Sequence, residues 1–172
     1  MTILAVMRHA KSDWGDAGLA DFDRPLNKRG RQAARNVGKE LKDRRIRFDR
    51  LIASPAVRVR QTIEWLQHGY GRDFAVTFEP GIYDASLSTL FELVRRIQGN
   101  LHAPLLVGHN PGLHQLVLAL TLPDQSGLRD TLTENLPTGA LALIELPAVR
   151  WDEVQKGSGT VVELILPREL EP

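Results

Sequence analysis

Two hydrophobic periodicities take turns along this chain. Ile3 to Met7 is an unbroken apolar run and predicts a first strand buried on both faces. Residues 11–27 are polar and predict a loop, long enough that function or disorder is its usual explanation. Within 28–44, Ala33, Ala34, Val37 and Leu41 recur at helical spacing. Phe48 to Ala53 predicts a second strand. Ser54 then reads as a helix cap and Pro55 as a first-turn residue, opening a helix that runs to His68. Ala75 to Phe78 predicts a short strand, and Leu87, Leu90, Phe91, Val94 and Ile97 mark an amphipathic helix. Pro104 to Gly108 predicts a strand. Asn110-Pro111 repeats the cap-then-proline signal ahead of a helix through Leu120. Ala140 to Leu146 and Thr160 to Leu166 alternate and predict an antiparallel pair at the sheet edge, with a loosely held tail after Pro167. Strands alternating with helices predict an α/β domain with a largely parallel sheet.

Composition narrows the picture mainly by exclusion. A chain of 172 residues, 42% apolar and 25% charged, predicts one compact domain. The net charge of +1 gives no reason to expect nucleic acid or an anionic membrane as partner. There are no cysteines, which excludes disulfides, thiolate chemistry and a cysteine-based zinc site. No apolar run approaches the ~20 residues that span a bilayer. The N-terminus enters a strand at once and shows no signal-peptide pattern, so cytoplasm is the expected location.

The candidate chemistry begins at Arg8-His9-Ala10, directly after the first strand. Arginine grips phosphate oxygens with a planar fork, and a neutral histidine can attack phosphorus. Two further segments join it: Ser54-Pro55-Ala56-Val57-Arg58 and Val107-Gly108-His109-Asn110-Pro111-Gly112. In open α/β sheets ligands bind beyond the carboxyl ends of the strands, so Arg8, His9, Arg58 and His109 are expected to converge on one edge. Two helix N-termini there would also favour an anion. Lys11, two residues past His9, is placed to meet an incoming phosphate. Ser54 reads as a cap only, since no Gly-x-Ser-x-Gly turn surrounds it. His68, His102 and His114 read as surface or packing residues. Asp13, Asp16, Asp21 and Asp23 fit no calcium-loop spacing and read as a solvated acidic loop. Trp14 and Phe22 read either as hydrophobic anchors of that loop or as walls of the pocket entrance.

With Met7-Arg8-His9-Ala10-Lys11-Ser12, Arg24-Pro25-Leu26 with Gly30, Ser54-Pro55 with Arg58, Gly108-His109 and Pro137-Thr138-Gly139-Ala140 in this order, the chain resembles the histidine phosphatase superfamily. It is most similar to the short bacterial SixA-type branch of that phosphoglycerate-mutase-like fold. The resemblance implies a single three-layer domain over residues 1–172, with a mostly parallel sheet, an antiparallel edge and helices on both faces. It departs at Ala10, where the superfamily usually has glycine; alanine excludes a positive φ there.

The resemblance further implies hydrolysis through a phosphohistidine on His9, with Arg8, Arg58 and a cationic or donating His109 binding the equatorial oxygens. Lys11, Arg24, Asn110 and Thr138 are the expected substrate-binding residues, with Asn27 holding the loop. No metal or cofactor is called for, because fixed cations stand in its place. Larger relatives carry a carboxylate as general acid between the second arginine and the second histidine. Glu79 and Asp84, flanking Pro80-Gly81-Ile82-Tyr83, are the candidates here. The expected partner is a phosphorylated protein bearing phosphohistidine, or else a small phosphorylated molecule. A phosphomutase and a non-catalytic phosphate-binding module are the remaining alternatives. The sequence leaves oligomeric state open.

Overall fold

A computed structural model describes residues 1–148 and 150–171. Six strands form one sheet in the order β3-β2-β4-β1-β5-β6. The strands are β1 (Thr2–Arg8), β2 (Arg50–Ala53), β3 (Val76–Phe78), β4 (Pro104–Gly108), β5 (Leu141–Leu146) and β6 (Thr160–Ile165). The first four run parallel, and β5 and β6 close one side antiparallel. β1 therefore lies inside the sheet. Its side chains alternate between two cores: Leu4 and Val6 on one face, Ala5 and Met7 on the other, none of them exposed. This two-sided burial is what the unbroken apolar run Ile3 to Met7 encodes.

Helices cover both faces. α1 (Lys28–Asp43) and α2 (Val57–Tyr70) pack together over the face of Ala5 and Met7 through Val37, Leu41, Val59, Ile63 and Leu66. α3 (Leu87–Arg95) and α4 (Gly112–Leu120) cover the face of Leu4 and Val6 through Leu90, Val94, Leu113, Leu116 and Val117. A short α5 (Leu128–Thr131) follows, in a stretch where the hydrophobic pattern predicted no element. The result is a three-layer α/β architecture with a mixed sheet, as expected.

Three local expectations need correction. Ser54 is not the cap of α2, which starts at Val57. Its hydroxyl instead accepts from the Ala56 N–H at 3.2 Å within the turn after β2. Asn110 does not cap α4 either: that helix begins at Gly112, and the Asn110 amide donates to the Leu136 carbonyl at 2.9 Å. The tail is held more firmly than predicted. Pro167–Glu169 forms a 3-10 turn, Leu166 is buried, and Leu170 packs on the core beneath α1 and α2. Among the described residues no helix is long and apolar enough to cross a membrane.

Candidate active site

The sheet collects the predicted residues by topology. β1 and β4 are adjacent and parallel, with Arg8 in register with Gly108. Their carboxyl ends deliver Arg8-His9 and His109 side by side. The end of β1 is fastened on both sides: the His9 N–H donates to the Gly108 carbonyl at 3.0 Å, and the Gly139 N–H donates to the carbonyls of Arg8 and His9 at 3.0 and 2.9 Å. Gly139 reaches both from a φ of +75°, a conformation that favours glycine. Ala10 does not take a positive φ. Its N–H donates to the Thr62 hydroxyl at 3.0 Å, and that hydroxyl donates to the Arg58 carbonyl at 2.7 Å. Buried Thr62 thus ties the turn after His9 to the helix that carries Arg58.

Arg8, His9, Lys11, Arg24, Arg58, His109, Asn110 and Thr138 all line one cleft of about 480 Å³, together with Ser12, Trp14 and Asn27. Asn27 also caps α1, accepting from the Gly30 N–H at 2.8 Å. A Cβ built on Gly30 would lie 2.0 Å from the Lys11 carbonyl oxygen, so glycine lets α1 abut the loop that carries Lys11. Trp14 is 76% exposed at the lip and stacks on the Arg24 guanidinium, 3.4 Å from its ring centre. A larger cleft, of about 720 Å³, lies beside α3 among Arg50, Ile52, Glu79, Glu92 and Arg96, and contains none of the four converging residues.

Hydrogen bonds fix the state of each imidazole. His9 Nδ1 lies 2.7 Å from the Ala10 carbonyl, which only accepts. Nδ1 therefore carries the proton and Nε2 keeps its lone pair. His109 Nδ1 lies 3.2 Å from Arg58 Nη2, which only donates, so the His109 proton sits on Nε2 and points to the Ser54 hydroxyl at 2.8 Å. The two rings are 5.4 Å apart. Burial, followed by the charges of Arg58, His109 and Arg8, lowers the pKa of His9 to about 3. Burial and then Arg58 lower that of His109 to about 4. Both imidazoles are neutral at pH 7 in the free protein. Of the expected cationic or donating His109, the free protein holds the neutral, donating form: a ring buried among arginines does not take a second proton without an anion beside it. The Nε atoms of Arg8 and Arg58 are buried with no hydrogen-bond partner among the described residues. Such orphaned N–H donors on cations are what an oxyanion would satisfy.

The proposed general acids are not in this cleft. Glu79 lines the larger one, and Asp84 lines neither. After β3 the 3-10 turn Pro80–Ile82 buries Ile82 and brings Tyr83, rather than its acidic neighbours, against His109, with ring centres 5.4 Å apart. The carboxylate at the site is Asp21, from the loop read above as merely solvated. It bridges Arg24 and Arg58 at 3.1 Å each and accepts from the Tyr83 hydroxyl at 2.6 Å. The Tyr83 hydrogen bond, with those of the two arginines, lowers the Asp21 pKa to about 2. Phe22 packs edge-on against Tyr83 and anchors the loop. Of the other histidines, His114 bonds to the Leu132 carbonyl, His68 packs on Trp65, and the His102 N–H pairs with Asp49.

A six-stranded mixed sheet whose strand ends gather two arginines and two histidines defines a phosphatase-type α/β enzyme. The sequence model of the histidine phosphatase superfamily (branch 1) matches residues 4–120, which include all four, and the chain belongs to that superfamily. An uncharacterized protein of Mycobacterium tuberculosis is 34% identical over 164 residues, covering 94% of this chain and 100% of that one. A structure assigned as the phosphohistidine phosphatase SixA of Agrobacterium tumefaciens superposes with a TM-score of 0.80 at 28% identity, covering 96% of this chain and 98% of that one. The protein histidine phosphatase SixA in complex with tungstate shares the fold, with a TM-score of 0.79 at 20% identity over 98% of this chain and 99% of that one.

Proposed function

We propose that this histidine phosphatase hydrolyses phosphohistidine on a protein, through its own phosphohistidine on His9. The observation that carries the reading is the His9 tautomer. Its Nδ1–H is fixed on a carbonyl, and its Nε2 lone pair is free in a cleft walled by Arg8, Arg58 and His109. In the first step the Nε2 pair forms a bond to phosphorus while the bond to the leaving nitrogen or oxygen breaks; the leaving group takes the electron pair of the broken bond and a proton from water, which leaves hydroxide. In the second, water oxygen attacks phosphorus, the phosphorus–Nε2 bond breaks with its pair returning to Nε2, and the proton released by the attacking water neutralises the hydroxide left by the first step. The guanidiniums of Arg8 and Arg58 stabilise the equatorial oxygens in both steps. An approaching dianion also raises the His109 pKa and makes its protonated, donating form accessible on binding.

The substrate class is supported by the carboxyl groups around the cleft. Asp21, which touches Arg24 and Arg58 beside it, is held ionised by its neighbours, and neither Glu79 nor Asp84 lines it, so among the described residues no carboxylic acid stands ready to protonate an alkoxide. Imidazole leaves a phosphoramidate with less protonation help than an alkoxide leaves an ester. The test is alkaline quench in denaturant with labelled substrate, which preserves an acid-labile phosphoramidate: phosphate is expected on His9 in the native enzyme and none in His9→Ala, which also loses turnover. Substantial turnover by His9→Ala refutes the nucleophile. A higher kcat/KM for a small alkyl phosphate than for a phosphohistidine peptide refutes the substrate, in favour of a small-molecule phosphatase.

A further inference from the structure

The contacts of Asp21 take one end of Arg58 and leave the other. The Asp21 main-chain carbonyl accepts from Arg58 Nη1 at 2.7 Å, and Oδ2 accepts from Nη2 at 3.1 Å. The second Nη2 hydrogen points to His109. Arg58 Nε, by contrast, is buried and unpartnered among the described residues. Asp21 is itself braced: Oδ1 accepts from Arg24 at 3.1 Å, and Oδ2 accepts from Tyr83 at 2.6 Å. A long guanidinium side chain is thereby held in one orientation before substrate arrives, which is the preorganisation that phosphoryl transfer exploits. The carboxylate also places a negative charge beside the arginine that would grip a phosphate, which opposes anion binding.

We propose that Asp21 is a positioning residue for the phosphoryl transfer: it fixes the Arg58 guanidinium in its working orientation while weakening the affinity of the cleft for phosphate. This rests on the phosphohistidine reading given above. The carboxylate passes no proton in this role, and the double variant below separates its hold on Arg58 from its contact with Arg24. Removing its charge should therefore slow chemistry without weakening anion binding. A loop that merely collapsed would do both.

The experiment compares the native enzyme, Asp21→Asn, Arg58→Ala, the double variant and His9→Ala, with p-nitrophenyl phosphate as substrate and orthophosphate as inhibitor. In Asp21→Asn, kcat is expected to fall by about 10- to 100-fold, with the orthophosphate inhibition constant unchanged or lower. In the Arg58→Ala background the second substitution is expected to have no further effect. An unchanged kcat overturns the proposal. So does a loss of orthophosphate affinity that parallels the loss of kcat, or a full Asp21→Asn effect in the absence of Arg58. Turnover that survives in His9→Ala refutes the phosphohistidine reading instead, and the two failures are read from different variants.

Discussion

Acidification should destabilise this protein through its active site. His9 and His109 have pKa values of about 3 and about 4 when folded, because burial and neighbouring guanidiniums disfavour the charged ring. In the unfolded chain both return to about 6.5. Between about pH 6.5 and pH 4 the unfolded chain thus binds protons that the folded chain does not, and stability falls as pH falls. At about pH 5 a free imidazole has gained about 2 kcal/mol from protonation, and the two folded rings almost none. The pair should therefore remove about 4 kcal/mol on going from pH 7.5 to pH 5, a large part of the ~5–15 kcal/mol that stabilises a typical domain. The assay is urea unfolding across that range for the native protein and for His9→Gln, which cannot titrate. The variant should lose about 2 kcal/mol less over the same interval, whatever its stability at the upper end. Parallel stability-versus-pH curves for the two proteins would refute the claim that His9 is held neutral by its surroundings.

Arg58→Lys should lower kcat on an aryl phosphate by roughly 10²- to 10³-fold, about 2.7–4 kcal/mol, because an ammonium cannot keep the fork shared by Asp21, His109 and phosphate; near-native turnover would count against the role given to Arg58. Glu79→Gln and Asp84→Asn should leave rates on aryl and alkyl phosphates almost unchanged, far short of the roughly 10²- to 10⁴-fold that a general acid contributes. A loss confined to the alkyl ester would restore one of them as the acid. Gly30→Ala should destabilise the fold by about 1–3 kcal/mol in urea unfolding, since its new methyl overlaps the Lys11 carbonyl; an unaltered midpoint would mean that α1 does not need that approach.

The central elements were legible because a single strong signal governs each. β1 and β4 are apolar runs buried on both faces, and α1 carries its apolar stripe at regular spacing. Parallel pairing then brings Arg8, His9 and His109 together without knowledge of any side-chain contact. What escaped was what depends on partners distant along the chain. Ser54 and Asn110 have the residue types and the following prolines of helix caps, yet each is bonded otherwise: Ser54 accepts from the Ala56 N–H and from His109, and Asn110 donates to the Leu136 carbonyl. Asp21 sits among other loop aspartates that differ from it only in place. Asp13 and Asp16 bond to the N–H groups of Gly15 and Gly18, two residues on, as isolated loop aspartates do, while Asp21 meets Tyr83 across 62 positions. Nothing local separates them. The flanking acids Glu79 and Asp84 failed for a related reason: the direction in which a 3-10 turn points its neighbours is set by Ile82 entering the core, and three residues carry no readable period.

Burial comes first in lowering the two histidine pKa values, and the guanidinium charge that adds to it is the one that Asp21 clamps at Arg58. Arg8 and Arg58 are close enough that the Arg58 charge, after burial, pushes the Arg8 pKa below its ordinary value. A proton on His9 or His109 would add a further positive charge to the same cleft. The free protein relieves this by keeping both rings neutral and by placing the Asp21 carboxylate on the far end of Arg58. Neutrality of His9 leaves its Nε2 pair available for attack. The remaining positive potential, on two guanidiniums whose buried Nε–H groups have no partner among the described residues, is what the proposed phosphate dianion would relieve. The repulsion that adds to burial in making the protein acid-sensitive is thus expected also to favour a phosphorylated substrate. A substitution that removes it should stabilise the fold at low pH and weaken phosphate binding together.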